Sequence, residues 1–123
     1  MKQEGKDLLL RDLCARLPYG VKVESVFINP DTKEHKSCGI EVFNATSLLM
    51  IRDGLGEFKP YLFPLSSMTE EQKAELSMLV VGVEDIFKSF LIEVEFYHKH
   101  HIDYRGLIEK SLALDATNLG IYE

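Results

Sequence analysis

The chain has 123 residues, 46% of them hydrophobic and 10% aromatic, which is enough to build one domain with its own core and too apolar for a disordered chain. Its net charge of −6 falls wholly on residues 63–123, which carry five bases and eleven acids, whereas residues 1–62 carry nine of each. An acidic half repels phosphate, so general nucleic-acid binding through it is disfavoured, while a basic protein partner suits it.

The start of the chain, Met1 to Asp7, carries charges of both signs, and the apolar run behind it is only Leu8-Leu9-Leu10, too short for a signal peptide core. The apolar stretch from Leu76 to Val83 is interrupted and well below the length of a membrane span. Cys14 and Cys38 make neither a disulfide framework nor a zinc-finger spacing. A cytoplasmic location is expected.

Residues 6–17 are predicted as a helix. Leu9, Leu13 and Leu17 repeat every four residues, and Leu10 and Cys14 widen that stripe, which makes Cys14 a small buried hydrophobe. Asp7 and Asp12 lie early and Arg16 late, as the helix dipole favours, and Pro18 and Gly20 stop the helix. From Val21 to Pro64 the apolar period becomes two. Val21-Lys22-Val23-Glu24 alternates and runs into Val26-Phe27-Ile28, Asn29-Pro30-Asp31-Thr32 is a turn signal, and Ile40-Glu41-Val42 resumes the alternation. Asn44-Ala45-Thr46 reads as a turn, residues 47–51 as a third strand, and Asp53-Gly54-Leu55-Gly56 as another turn. Residues 58–64 are extended, but Pro60 and Pro64 assign them to a sheet edge or an irregular path. Short strands joined by short turns imply an antiparallel meander.

Thr69 and Gln72 have capping-box spacing with Glu70 and Glu71 in the first turn, so a helix starts there, with Leu76, Leu79, Val80 and Val83 as its apolar side. Gly82 marks a break or kink, and a long helix resumes near Glu84. Ile86, Phe90, Val94, Tyr97 and His101 fall on one stripe of it, supported by Phe87 and Leu91. Asp103 fits the N-cap of a short final helix, with Ile102 and Leu107 as its hydrophobic staple and Leu107, Ile108, Leu112 and Leu114 as its buried side. The whole is expected as a single domain over 1–123: helix 6–17, antiparallel strands 21–64, a helical part 69–114 and an extended tail 115–123.

Between His98 and Arg105 lie three of the four histidines with an acid, a phenol and a guanidinium. Glu95 and His98 have Glu-x-x-His spacing, and His98 and His101 repeat the step of three, so Glu95, His98 and His101 are the candidate metal ligands. No second Glu-x-x-His and no His-Glu-x-x-His pattern accompanies them, and each step of three rotates about 60° around the helix, so no metal and no cofactor are expected. His101, Asp103 and Arg105 are the candidates for acid–base chemistry, Asp103 orienting a histidine ring. No nucleophile is marked, because Ser66, Ser67, Cys38 and Ser111 have no distinguishing neighbours. The simpler assignment places the three histidines as imidazolium groups at the negative end of the helix and Asp103 as a cap, which leans away from an enzyme.

Two further surfaces arise. Lys22, Lys33, Lys36, Arg52 and Lys59 with Phe27, Phe43, Phe58 and Tyr61 outline a stacking platform for a single strand, diluted by nine acids in the same half. The loop Asp53-Gly54-Leu55-Gly56 leads into no helix and no Gly-Lys-Ser/Thr follows, so it is no phosphate cradle. Lys59-Pro60-Tyr61-Leu62-Phe63-Pro64-Leu65 is a stiffened aromatic edge, which makes Tyr61, Leu62 and Phe63 the candidate residues for binding a protein partner or a second copy of the chain.

Three segments, Leu10 to Gly20, Lys59 to Glu71 and His101 to Lys110, resemble a set of small proteins of gut anaerobes, many of them associated with phages or prophages. That resemblance implies no activity and no catalytic residue, only a setting: an accessory protein that binds a host or phage component. The expected fold is α+β, an N-terminal helix, a small curled antiparallel sheet of three to five strands, and two or three C-terminal helices packed on it. The expected function is that of a cytosolic accessory or regulatory protein acting by protein–protein binding, with no membrane and no nucleic acid among its partners. The alternatives are a small metal-assisted or acid–base hydrolase centred on the His98–Asp103 segment, and a single-strand-binding module using the sheet.

Overall fold

The computed structural model describes residues 3–123 and shows an α+β fold. Helix α1 (Gln3–Arg16) passes through a 3₁₀ turn at Leu17–Tyr19 into strand β1 (Lys22–Ile28). Strand β2 (His35–Val42) returns beside β1 and leads into helix α2 (Ala45–Arg52) and strand β3 (Gly56–Pro64). Helices α3 (Glu70–Val80) and α4 (Ile86–Lys99) follow, and the chain closes with two short strands, β4 (Ile102–Asp103) and β5 (Leu114–Asp115).

Among the described residues the sheet has five strands, in the order β2-β1-β3-β4, with β5 also beside β3. Strand β1 is antiparallel to both β2 and β3, but β4 and β5 pair with β3 in parallel. The sheet is therefore mixed rather than the expected antiparallel meander. The crossover allows this: the chain leaves β3 at Pro64 and comes back only after two helices, a return long enough to bring a strand in parallel.

Three expectations need correction. Residues 47–51 are not a third strand but the body of α2. Asn44 accepts from Ser47 N–H at 3.2 Å, and Ser47 Oγ accepts from Asn44 N–H at 3.2 Å, a reciprocal cap that sequence spacing alone left looking like a turn. Residues 58–64 are not an outermost strand, because β3 pairs with β1 up to Pro60, then with β5 at Tyr61–Leu62 and with β4 at Phe63–Pro64, on opposite sides of the strand. Pro60 is tolerated because it forms the last pair with β1, opposite Val23, while pairing with β5 starts one residue later at Tyr61. Residues 104–113 form turns, not a final helix; Gly106, at φ 75°, breaks any helical entry. Leu107 and Leu112 are buried all the same.

The core lies between α1 and the sheet and is closed by the C-terminal turns. Leu9 and Leu13 of α1 meet Val21, Val23, Phe58 and Leu62, with Phe43 set edge to face on Phe58 at 5.7 Å. Cys14, expected on the buried stripe, is exposed. The buried face of α1 is instead formed by Leu9, Asp12, Leu13 and Arg16, which places a charged pair where an apolar stripe was predicted.

Candidate functional site

The polar centre of the molecule starts on α1. Asp12 and Arg16 are one helical turn apart and both fully buried, with Arg16 Nε donating to Asp12 Oδ2 at 2.8 Å. Arg16 also donates through Nη2 to the backbone carbonyl of Ile102 at 2.6 Å, which ties α1 to β4. Arg105 approaches the other oxygen of Asp12 at 3.1 Å, an ion-pair contact without hydrogen-bond alignment. One carboxylate thus lies between two guanidinium groups. Burial pushes the Asp12 carboxyl above its ordinary range, against the opposing pull of Arg16 and Arg105.

His98 comes to this centre from α4. Its Nε2 is 2.8 Å from the Tyr104 hydroxyl, and Arg16 and Arg105 lie over the Tyr104 ring at 5.6 and 5.1 Å. Desolvation, with Arg16 and Arg105 adding like charge, pulls His98 down to about 4. His101, held at φ 57° just past the helix, is pulled down to about 4 by burial first and by Arg16, His100 and Lys22 after it. Both rings are neutral at ordinary pH, so the expected imidazolium role at the helix end is overturned for these two. Their environment is apolar and already cationic.

The C-terminal tail completes the cluster. The Tyr122 hydroxyl accepts from Lys22 N–H at 2.9 Å and donates to the Tyr61 carbonyl at 2.7 Å, while its ring stacks on His101. It fills the point where β1 and β3 part beyond their last pair. Burial raises its phenol to about 12.

The candidate catalytic and metal residues are only partly brought together. Asp103 does not orient a histidine: its two carboxylate oxygens accept from Leu107 N–H at 3.0 Å and Ile108 N–H at 2.9 Å. It caps the turn that replaces the predicted helix. Glu95 is exposed, while His98 faces Tyr104 and His101 faces Tyr122. Among the described residues no group of three or more His, Cys, Asp or Glu is placed to hold a metal ion. A recess of about 640 Å³ touches Asp103 and Tyr104 together with Ser66, Lys73 and Glu109, but not His98, His101 or Arg105. Chemically, the cluster is an internal tie between α1, α4, β4 and the tail. Sequence reasoning missed Asp12, Arg16 and Tyr122; the Asp-x-x-x-Arg spacing was the available signal for the first two.

The predicted partner-binding residues also divide. Leu62 is fully buried in the core, and Phe63 lies against Tyr122 at 5.9 Å, leaving Tyr61 and Phe63 half-buried. Leu62 is corrected to a core residue because β3 is central and alternates its side chains. Likewise Phe43 and Phe58 of the proposed stacking platform are interior, Arg52 is paired with Asp53, and Lys22 donates to the Ile121 carbonyl at 2.6 Å.

The largest apolar exposure lies instead on α4. Phe87, Leu91, Val94 and His98 share one face by their spacing. Along it exposure falls from 76% at Phe87 and 63% at Leu91, through a half-buried Val94, to 6% at His98. Beside them Ile86 and Phe90 are 66% and 61% exposed. Of the stripe read from the sequence, Ile86, Phe90, Val94 and Tyr97 lie on α4 but His101 falls past its end at Lys99, and the body of the protein covers only the C-terminal part of this apolar side. The start of α4 is fixed by Asp85, which accepts from Phe87 N–H at 2.9 Å, after Gly82, at φ 78°, has reversed the chain out of α3.

Among the described residues no helix is long and apolar enough to cross a membrane. The chain matches no protein-family model, no curated protein and no solved structure.

Proposed function

We propose that this is a small accessory protein that works by binding another protein through the projecting face of α4. The observation that carries the reading is the exposure gradient along Phe87, Leu91, Val94 and His98. Soluble monomers rarely leave several large apolar side chains together in water, and such patches mark interaction sites. Local sequence built the amphipathic stripe over the full helix, so its uncovered half is continuous with a surface that the fold uses for packing. The resemblance of three segments to phage-associated proteins adds a setting for this role, and the cytoplasm is the compartment proposed.

The test is a pull-down from nuclease-treated lysate with the native chain and with a Phe87→Ser/Leu91→Ser variant, followed by reconstitution of any captured protein in purified form. A one-to-one complex formed by the native chain and lost in the variant supports the reading. A partner held equally by both chains, or no partner at all, overturns it.

A further inference from the structure

The occupant of the α4 face is identified by charge. The stripe formed by Ile86, Phe87, Phe90 and Leu91 begins next to Glu84 and Asp85 and is flanked on the same helix by Glu93 and Glu95, with Lys88 the one base between Glu84 and Val94. Glu84, Asp85, Lys88 and Glu95 are exposed. Burial first, and Glu93 after it, raise the Tyr97 phenol, which places the Glu93 carboxylate beside that ring. An apolar strip bordered by carboxylates repels a copy of itself, because docking face to face sets two acidic rims against one another in a drying interface.

We infer that the face receives an amphipathic helix whose apolar stripe is bordered by Lys or Arg. The inference rests on the binding role proposed above. Spacings of three and four along Phe87, Phe90, Leu91 and Val94 make the ridges into which a second helix packs. Carboxylates on the flanks then meet the basic borders of the incoming helix, steering its approach and fixing its orientation. The exposed length, from Ile86 to Val94, is about two and a half turns, so a partner helix engages over roughly 13 Å.

The experiment titrates the chain with two labelled peptides of about 18 residues, one an amphipathic Leu/Lys helix and the other its Leu/Glu counterpart, followed by fluorescence anisotropy. The Lys peptide is expected to bind at least about tenfold tighter than the Glu peptide, and high salt to weaken it about fivefold. Phe87→Ser/Leu91→Ser should abolish binding, and Glu93→Lys/Glu95→Lys should reverse the preference. Equal binding of both peptides that is still lost in Phe87→Ser/Leu91→Ser overturns the basic partner while leaving a binding face. Binding indifferent to Phe87→Ser/Leu91→Ser overturns the face as well. A native particle of twice the chain's mass by light scattering, reverting to one chain in Phe87→Ser/Leu91→Ser, overturns the basic helix in favour of a second copy.

Discussion

The Tyr122 ring lies flat on the His101 imidazole, with ring centroids 3.8 Å apart and planes 10° from parallel. The hydroxyl of the same tyrosine joins Lys22 of β1 to Tyr61 of β3. The last residues of the chain therefore hold the open end of the sheet together. Tyr122→Phe keeps the stack but strands one backbone donor and one backbone acceptor in a largely dry setting. It is expected to lower unfolding free energy by about 1–3 kcal/mol in urea titration. A change within experimental scatter would show that water replaces the phenol and that the tail is no structural element.

Asp12 and Arg16 should behave as a unit. Removing Asp12 leaves a buried guanidinium with its carboxylate gone, at a cost of about 3–5 kcal/mol, whereas an apolar pair of similar volume at both positions costs far less. Equilibrium unfolding of Asp12→Leu, Arg16→Met and the double variant gives the cycle. If the double variant lost the full sum of the two single losses, Asp12 and Arg16 would not be coupled and would not form the centre of the buried cluster.

Acid should weaken the fold over a defined window. His98 and His101 have folded values of about 4 against an ordinary 6.5, so below pH 6.5 protons bind the unfolded chain first. Stability from these rings is fully present above pH 6.5 and falls between 6.5 and 4. For His98 the loss is on the order of 3 kcal/mol, less for the more exposed His101. Asp12, raised in the fold by burial, acts with the opposite sign. Urea unfolding across pH 4.5 to 7.5 should therefore show a positive slope of stability with pH that flattens in His98→Gln. An unchanged slope in that variant would mean His98 is solvated.

Two phenylalanines of α4 should separate folding from binding. Phe96 is 3% exposed and Phe87 is 76% exposed. Phe96→Ala is expected to cost about 3–5 kcal/mol. Phe87→Ser should move stability by no more than about 0.5 kcal/mol. Thermal unfolding of the two variants decides it, and a large loss in Phe87→Ser would show that the N-terminal half of α4 is covered by its own chain.

Elements whose evidence is local were legible in the sequence. The Leu9/Leu13 stripe gave α1, the Thr69–Gln72 box gave the start of α3, period-two alternation gave β1, and Gly82 gave the break between α3 and α4. The errors came where one local signal has two physical outcomes. Ser47 to Ile51 suits a strand or a helix, and the reciprocal cap with Asn44 decided it. Prolines in residues 58–64 suggested an edge, and nothing local reveals that β5 and β4 take over from β1 beyond Pro60.

The sequence by itself determined the class of fold, the amphipathic stripe of α4 and the acidic character of its flanks, since these follow from residue spacing and composition. Only the tertiary structure decided which half of that stripe is covered, that Asp12 and Arg16 are interior, and that Asp103 is a cap rather than a partner for histidine. Those facts depend on which segments far apart in the chain meet. Burial, which turns a surface ion pair into a structural tie and an imidazolium into a neutral ring, is a property of the assembled fold and not of any one segment.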